Sequence, residues 1–149
     1  MIRTLTPLLA ALLLAAAPVA HAVQPVEAAA PAAAEEKVVY HINDASVARM
    51  AMNNVNNHLT ASPNAKIVVV THGKGIDFLL NDAKDEKGAF APVVAGLKEK
   101  GVDFRVCRNT LKSRNLTDDA VIMEARVVPS GVAEIGKLQA QEGYVYLKP

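Results

Sequence analysis

"AKIVVVTH", Ala65 to His72, decides the fold. Ile67 to Thr71 is an unbroken β-branched run, opened by the turn signal Ser62-Pro63-Asn64 and closed by Gly73. A strand with no polar alternation is covered on both faces, and that is the habit of parallel sheets. Working outward, "KVVYHI" (Lys37 to Ile42) reads as the strand before it, and "VDFRVC" (Val102 to Cys107), "ARVVP" (Ala125 to Pro129) and "GYVYLK" (Gly143 to Lys148) as those after it.

The spaces between these strands read as helices. From Ala45 to Ala61, Val47, Ala51, Val55 and Leu59 recur every four residues, with Asn43 or Asp44 as the cap. Ile76 to Asp82 is a short helical stretch, and Ala89 to Lys100 carries a stripe of Phe90, Val93, Val94 and Leu97 before Gly101. Thr117 with Asp118 and Asp119 opens a brief helix, and Ser130 caps one that runs to about Gln141. Strand, helix, strand repeated in this way predicts a three-layer α/β/α domain around a five-stranded, mostly parallel sheet with right-handed crossovers.

That domain spans residues 37–149, a length that suits one hydrophobic core. Ahead of it, Arg3, the apolar run Leu8 to Ala17 and Ala20-His21-Ala22 have the pattern of a secretory signal over residues 1–22, cleaved after Ala22. Residues 23–36 are almost wholly Ala, Pro, Glu and Val, which predicts a disordered leader. The expected location is periplasmic, with no membrane association after cleavage.

Composition excludes several classes. The chain has 16 Lys and Arg against 15 Asp and Glu, so loss of Arg3 leaves it balanced, and it has no Trp. A nucleic-acid surface needs a basic footprint and stacking aromatics, and balanced charge with only three Phe and three Tyr argues against one. "HGKG" (His72 to Gly75) lacks the third glycine of the dinucleotide fingerprint and does not complete a phosphate loop, so it reads as a tight turn with exposed amides. No histidine pair has helical metal-ligand spacing; neither a metal nor a cofactor is expected.

Chemistry in an open parallel sheet gathers beyond the carboxyl ends of its strands. His41 and Asn43 close the first strand, His72 and Gly73 the second, and Cys107 the third. Cys107 is the only cysteine of a chain with an export pattern, and it has no disulfide partner. It sits among Arg105, Arg108, Lys112 and Arg114 and directly before a helix whose first turn holds Asn109, Thr110 and Leu111. Helix amides and basic neighbours depress a thiol pKa, so Cys107 is a candidate nucleophile; the alternative is a small apolar filler with the bases on a solvated face.

The ordered set "VVYHIND", "VVVTHGKGIDFLL", "GVDFRVCRNTL" and "VVPSGVAEIGKLQAQEGYVYLKP" resembles the DsrE/DsrF-like sulfur-relay family, in particular its exported single-domain members. The resemblance implies a flavodoxin-like α/β/α layering and a homo-oligomer, a trimer or hexamer. It also implies that Cys107 carries sulfane sulfur as a persulfide and passes it to a thiol-bearing partner protein. Arg108 and the amides of Asn109 and Thr110 are then expected to stabilise anionic sulfur, with His72, Gly73, Asn43 and His41 lining the approach. The competing function is a non-catalytic oligomeric binding or assembly module with a structural Cys107.

Overall fold

The computed structural model of the protein describes residues 35–149. The signal segment and most of the leader expected from the sequence lie outside the described residues. In chain order the elements are β1 (Lys37–Ile42), α1 (Ala48–Ala61), β2 (Lys66–Thr71), β3 (Lys84–Asp85), β4 (Gly88–Ala89), α2 (Ala91–Glu99), β5 (Asp103–Cys107), α3 (Arg108–Ser113), β6 (Ala125–Val128), α4 (Gly131–Glu142) and β7 (Val145–Leu147). Five strands form one wholly parallel sheet in the order β6-β5-β2-β1-β7.

The order explains the layers. From β1 through β2 and β5 to β6 the chain steps in one direction, so right-handed crossovers place α1, α2 and α3 on the same face. There Met52, Val55, Val94, Leu97 and Leu111 bury themselves against Ile67, Val69, Phe104 and Val106. The last crossover returns from β6 across the sheet to β7, which puts α4 alone on the opposite face, with Ile135 and Leu138 over Val39, Val68 and Val70. Thr71 and the five residues before it are all buried except Lys66, as a doubly covered strand requires.

Several boundaries differ from the sequence reading for identifiable reasons. The helix expected over Ile76 to Asp82 is a 3-10 run over Gly73–Leu79. The helix expected from Ala89 begins at Ala91 with Pro92 in its first turn, because β3 and β4 take the residues before it into an antiparallel ladder. Arg49 stabilises that ladder: its guanidinium donates to Asp85 and to the Gly88 carbonyl and stacks on the Phe90 ring, 4.2 Å from its centre. Thr117 to Ala120 supplies only one 3-10 turn. Asp44, not Asn43, caps the turn leading into α1.

At the amino edge of the sheet, Glu36, counted with the leader by composition, is tied to the domain. Its carbonyl accepts from the Lys66 amide, and its carboxylate meets His58, whose other ring nitrogen meets the Tyr40 hydroxyl at 2.9 Å. His58 thus serves the structure at the end opposite the candidate site.

Candidate functional site at the carboxyl edge of the sheet

Residues paired across a parallel ladder point to the same face, and side chains alternate along each strand. Tyr146 pairs with Val39 and His41 with Val70, both of which lie under α4. His72 follows Val70 by two residues, and Cys107 follows Arg105, the register partner of Val70, by two. Tyr146, His41, His72 and Cys107 therefore form a row across β7, β1, β2 and β5, on the α4 face and near the carboxyl edge.

Cys107 ends β5 and is the N-cap of α3, with extended backbone angles. Burial pushes its thiol up, but the Gly131 amide, the Thr110 hydroxyl and amide and the Asn109 amide turned toward it outweigh burial and hold it below its ordinary pKa. Gly131 opens α4, so Cys107 receives amides from two helix amino termini. The Gly73 amide fixes Thr110 beside the thiol, donating to its hydroxyl oxygen at 3.0 Å. The contact expected from Gly73 is therefore made through Thr110.

Glycine permits two close approaches here, a tight one at Gly131 and one at Gly75 that leaves no room for a side chain. A β-carbon on Gly131 would lie 3.1 Å from the Thr71 carbonyl oxygen, 3.2 Å from Cys107 Cβ and 3.3 Å from His72 Cβ. One on Gly75 would meet the Ile42 carbonyl oxygen at 2.0 Å, so the "HGKG" turn is built for close backbone approach to β1.

Three of the four basic residues around the thiol are held by acids and do not act as a free positive field. The Arg108 guanidinium is gripped by Asp118 at 2.6 Å, that of Arg114 by Asp77, and that of Arg105 by Asp103 and Glu134. Hydrogen bonding, not neighbouring cationic charge, lowers the thiol. Asn43 is exposed, and its side chain forms no hydrogen bond among the described residues; only its carbonyl lies near Gly73.

The two histidines meet directly. His41 Nε2 and His72 Nε2 are 2.6 Å apart, and His41 Nδ1 is 2.7 Å from the Tyr146 hydroxyl. Burial, reinforced by His72 and Lys148, lowers His41 to about 4, and burial followed by Lys148 also lowers His72. Tyr146 was not singled out by sequence. Its strand follows β6 in the chain yet lies beside β1, and no local pattern announces that jump. Among the described residues no group of three or more His, Cys, Asp or Glu is arranged to hold a metal, and no helix is long and apolar enough to cross a membrane.

The model of the DsrE/DsrF-like family matches residues 27–149. The chain belongs to that family. No curated protein matches it. Among solved structures, this DsrE/DsrF-like chain is similar to the protein of unknown function MTH1491 from Methanobacterium thermoautotrophicum, with 30% identity and a TM-score of 0.70 over 77% of this chain and 100% of that one. It also shares its fold with the ychN protein from E. coli, at 12% identity and a TM-score of 0.63 over 76% of this chain and 99% of that one.

Proposed function

We propose that this DsrE/DsrF-like protein is a sulfur carrier of the periplasm, exported by a signal cleaved after Ala22, and that Cys107 is its nucleophile. The observation that carries the reading is the place of Cys107 at the end of β5, heading α3 and packed against Gly131 at the start of α4, where backbone amides hold its thiol below its ordinary pKa. The Cys107 thiolate attacks the outer sulfur of a persulfide R–S–SH; a new S–S bond forms, the donor's own S–S bond breaks, and R–S⁻ leaves. An acceptor thiolate then attacks the outer sulfur of the Cys107 persulfide and releases the Cys107 thiolate to the same amides. No net oxidation occurs in either step.

Donor and acceptor are thiol-bearing molecules or polysulfide, and the protein works as a homo-oligomer. Self-association is supported by apolar side chains left exposed on the edge strand β7, with Val145 62% and Leu147 39% exposed. Incubation of the purified protein with polysulfide, followed by intact mass measurement, tests the carrier reading. A gain of 32 Da units, about one or more sulfur atoms, is expected on Cys107 alone, since thiolate character directs sulfur chemistry. No adduct, or the same adduct on a Cys107→Ser variant, sinks it.

One observation favours the assembly-module reading: Cys107 is only 5% exposed. Alkylation separates the two. A carrier thiol reacts readily near neutral pH with a small reagent such as iodoacetamide, whereas a structural thiol reacts only as the protein unfolds.

A further inference from the structure

The groups that lower the Cys107 thiol are the amides and hydroxyl around it, and neither histidine is among them. The imidazole pair, joined at 2.6 Å beside the thiol, is a titratable device that the carrier steps leave unused. We propose that Tyr146, His41 and His72 form a proton relay that serves the other thiol: it protonates the donor's leaving thiolate in the first transfer and deprotonates the acceptor thiol in the second. This inference rests on the carrier reading.

The geometry supplies the wire. The Nε2 to Nε2 contact of 2.6 Å requires one ring to donate and the other to accept, so the two rings cannot both be protonated there. In one arrangement the Tyr146 hydroxyl donates to His41 Nδ1, His41 Nε2–H donates to His72 Nε2, and His72 Nδ1 carries a proton. In the other every proton has moved one place: His72 Nε2–H donates to His41 Nε2, His41 Nδ1–H donates to the Tyr146 oxygen, and His72 Nδ1 presents a lone pair. His72 Nδ1 is the end of the chain with no hydrogen-bond partner among the described residues, and Tyr146, 38% exposed, is the end that meets solvent.

His72 is also the member whose backbone neighbours that of Cys107. His72 and Cys107 flank the same glycine, their β-carbons 3.3 and 3.2 Å from where a Gly131 β-carbon would stand. In the first transfer His72 Nδ1–H gives its proton to R–S⁻, His72 Nε2 takes one from His41, His41 Nδ1 takes one from Tyr146, and the tyrosyl oxygen takes one from water. The acceptor thiol then delivers a proton to His72 Nδ1, and the same moves run backward. The cycle closes with no net gain or loss of protons. His72 touches the reacting thiol, whereas His41 and Tyr146 act through it and are positioning residues.

A general acid matters most where the leaving group is basic, so the relay fits donors that release an alkyl thiolate. It contributes little to donors that release a stable anion.

The test is single-turnover loading of Cys107, followed by intact mass, with glutathione persulfide and with a benzenethiol persulfide whose leaving thiolate is far less basic. In His72→Gln, loading from the alkyl donor should slow by about 10²-fold while the aryl donor is nearly unaffected. Tyr146→Phe should show the same alkyl-selective loss to a smaller degree. Iodoacetamide alkylation of Cys107 should keep its wild-type pH profile in both variants, which reports an intact thiol pocket. Equal slowing with both donors, or none with either, overturns the relay and leaves the carrier standing. Failure of the wild-type protein to load from either donor overturns the carrier reading itself.

Discussion

At the residue scale, the groups that surround Cys107 are ones that sequence could only partly name. Asn109 and Thr110 follow the cysteine directly, and their amides were legible as soon as a strand end was seen to run into a helix start. Gly131 was not, because it reaches the thiol through the return of the chain across the sheet. The bases looked persuasive in the sequence because each lies close to Cys107 along the chain, but Asp118, Asp77, Asp103 and Glu134 claim three of them. A paired prediction follows from that difference. Thr110→Val removes the hydroxyl that helps to lower the thiol, so the thiol pKa rises and iodoacetamide alkylation at neutral pH slows, while Thr110→Ser preserves it. Arg108→Ala, which only frees Asp118, leaves the alkylation profile where it is. If Arg108→Ala instead moved the profile as far as Thr110→Val, direct charge stabilisation would be the governing cause.

At the scale of the element, α4 is the part whose position matters most. Its capping was legible: Ser130 accepts from the Ala133 amide at 3.4 Å, and Gly143 ends the helix in a left-handed conformation. What capping signals do not reveal is the close approach of its first residue to β2 and β5. Gly131→Ala places a methyl group at 3.1 Å from a backbone oxygen in a region with little room to yield. The expected cost is about 1–3 kcal/mol in urea unfolding, as for other overpacked sites. The helix start must also move away from sulfur, so the thiol pKa rises through the weakened Gly131 amide bond. Gly136→Ala is the matched control, since it lies inside the same helix with nothing within 4 Å of a β-carbon. That change should stabilise the protein by roughly 0.5–1 kcal/mol and leave alkylation untouched. Opposite signs from one substitution type in one helix would locate the effect in contact, not in helix propensity.

At the scale of the whole molecule, the parallel order was legible because each strand is followed by a helical period, and that pattern permits few topologies. The edge placement of β7 was not, and with it went the row of Tyr146, His41 and His72. That row has a consequence for global stability. Tyr146 from β7, His72 from the end of β2 and Lys148 beyond β7 are the groups that meet His41 or bear on its charge; burial is the first cause that keeps it neutral, and the His72 and Lys148 charges add to it. His41 falls from 6.5 to about 4 on folding, and His72 shifts in the same direction. Between those values the unfolded chain binds a proton that the folded chain refuses, so stability is complete above about 6.5 and is lost as the pH falls toward 4. The depressed carboxylates act lower: Asp103, Asp85 and Asp118 each begin below 3.8, so their contribution survives until the pH falls through their folded values. The two causes therefore occupy separate windows. Urea midpoints measured from pH 7 to pH 5 should decline steadily in the wild type, and His41→Gln should flatten that decline because the imidazole that must stay neutral is gone. The steep fall below pH 4 should remain in the variant. A wild-type midpoint that is level from pH 7 to pH 5 would place the acid sensitivity of the fold in its carboxylates alone, and an equal decline in His41→Gln would assign it to a group other than His41, with His72 the next in line.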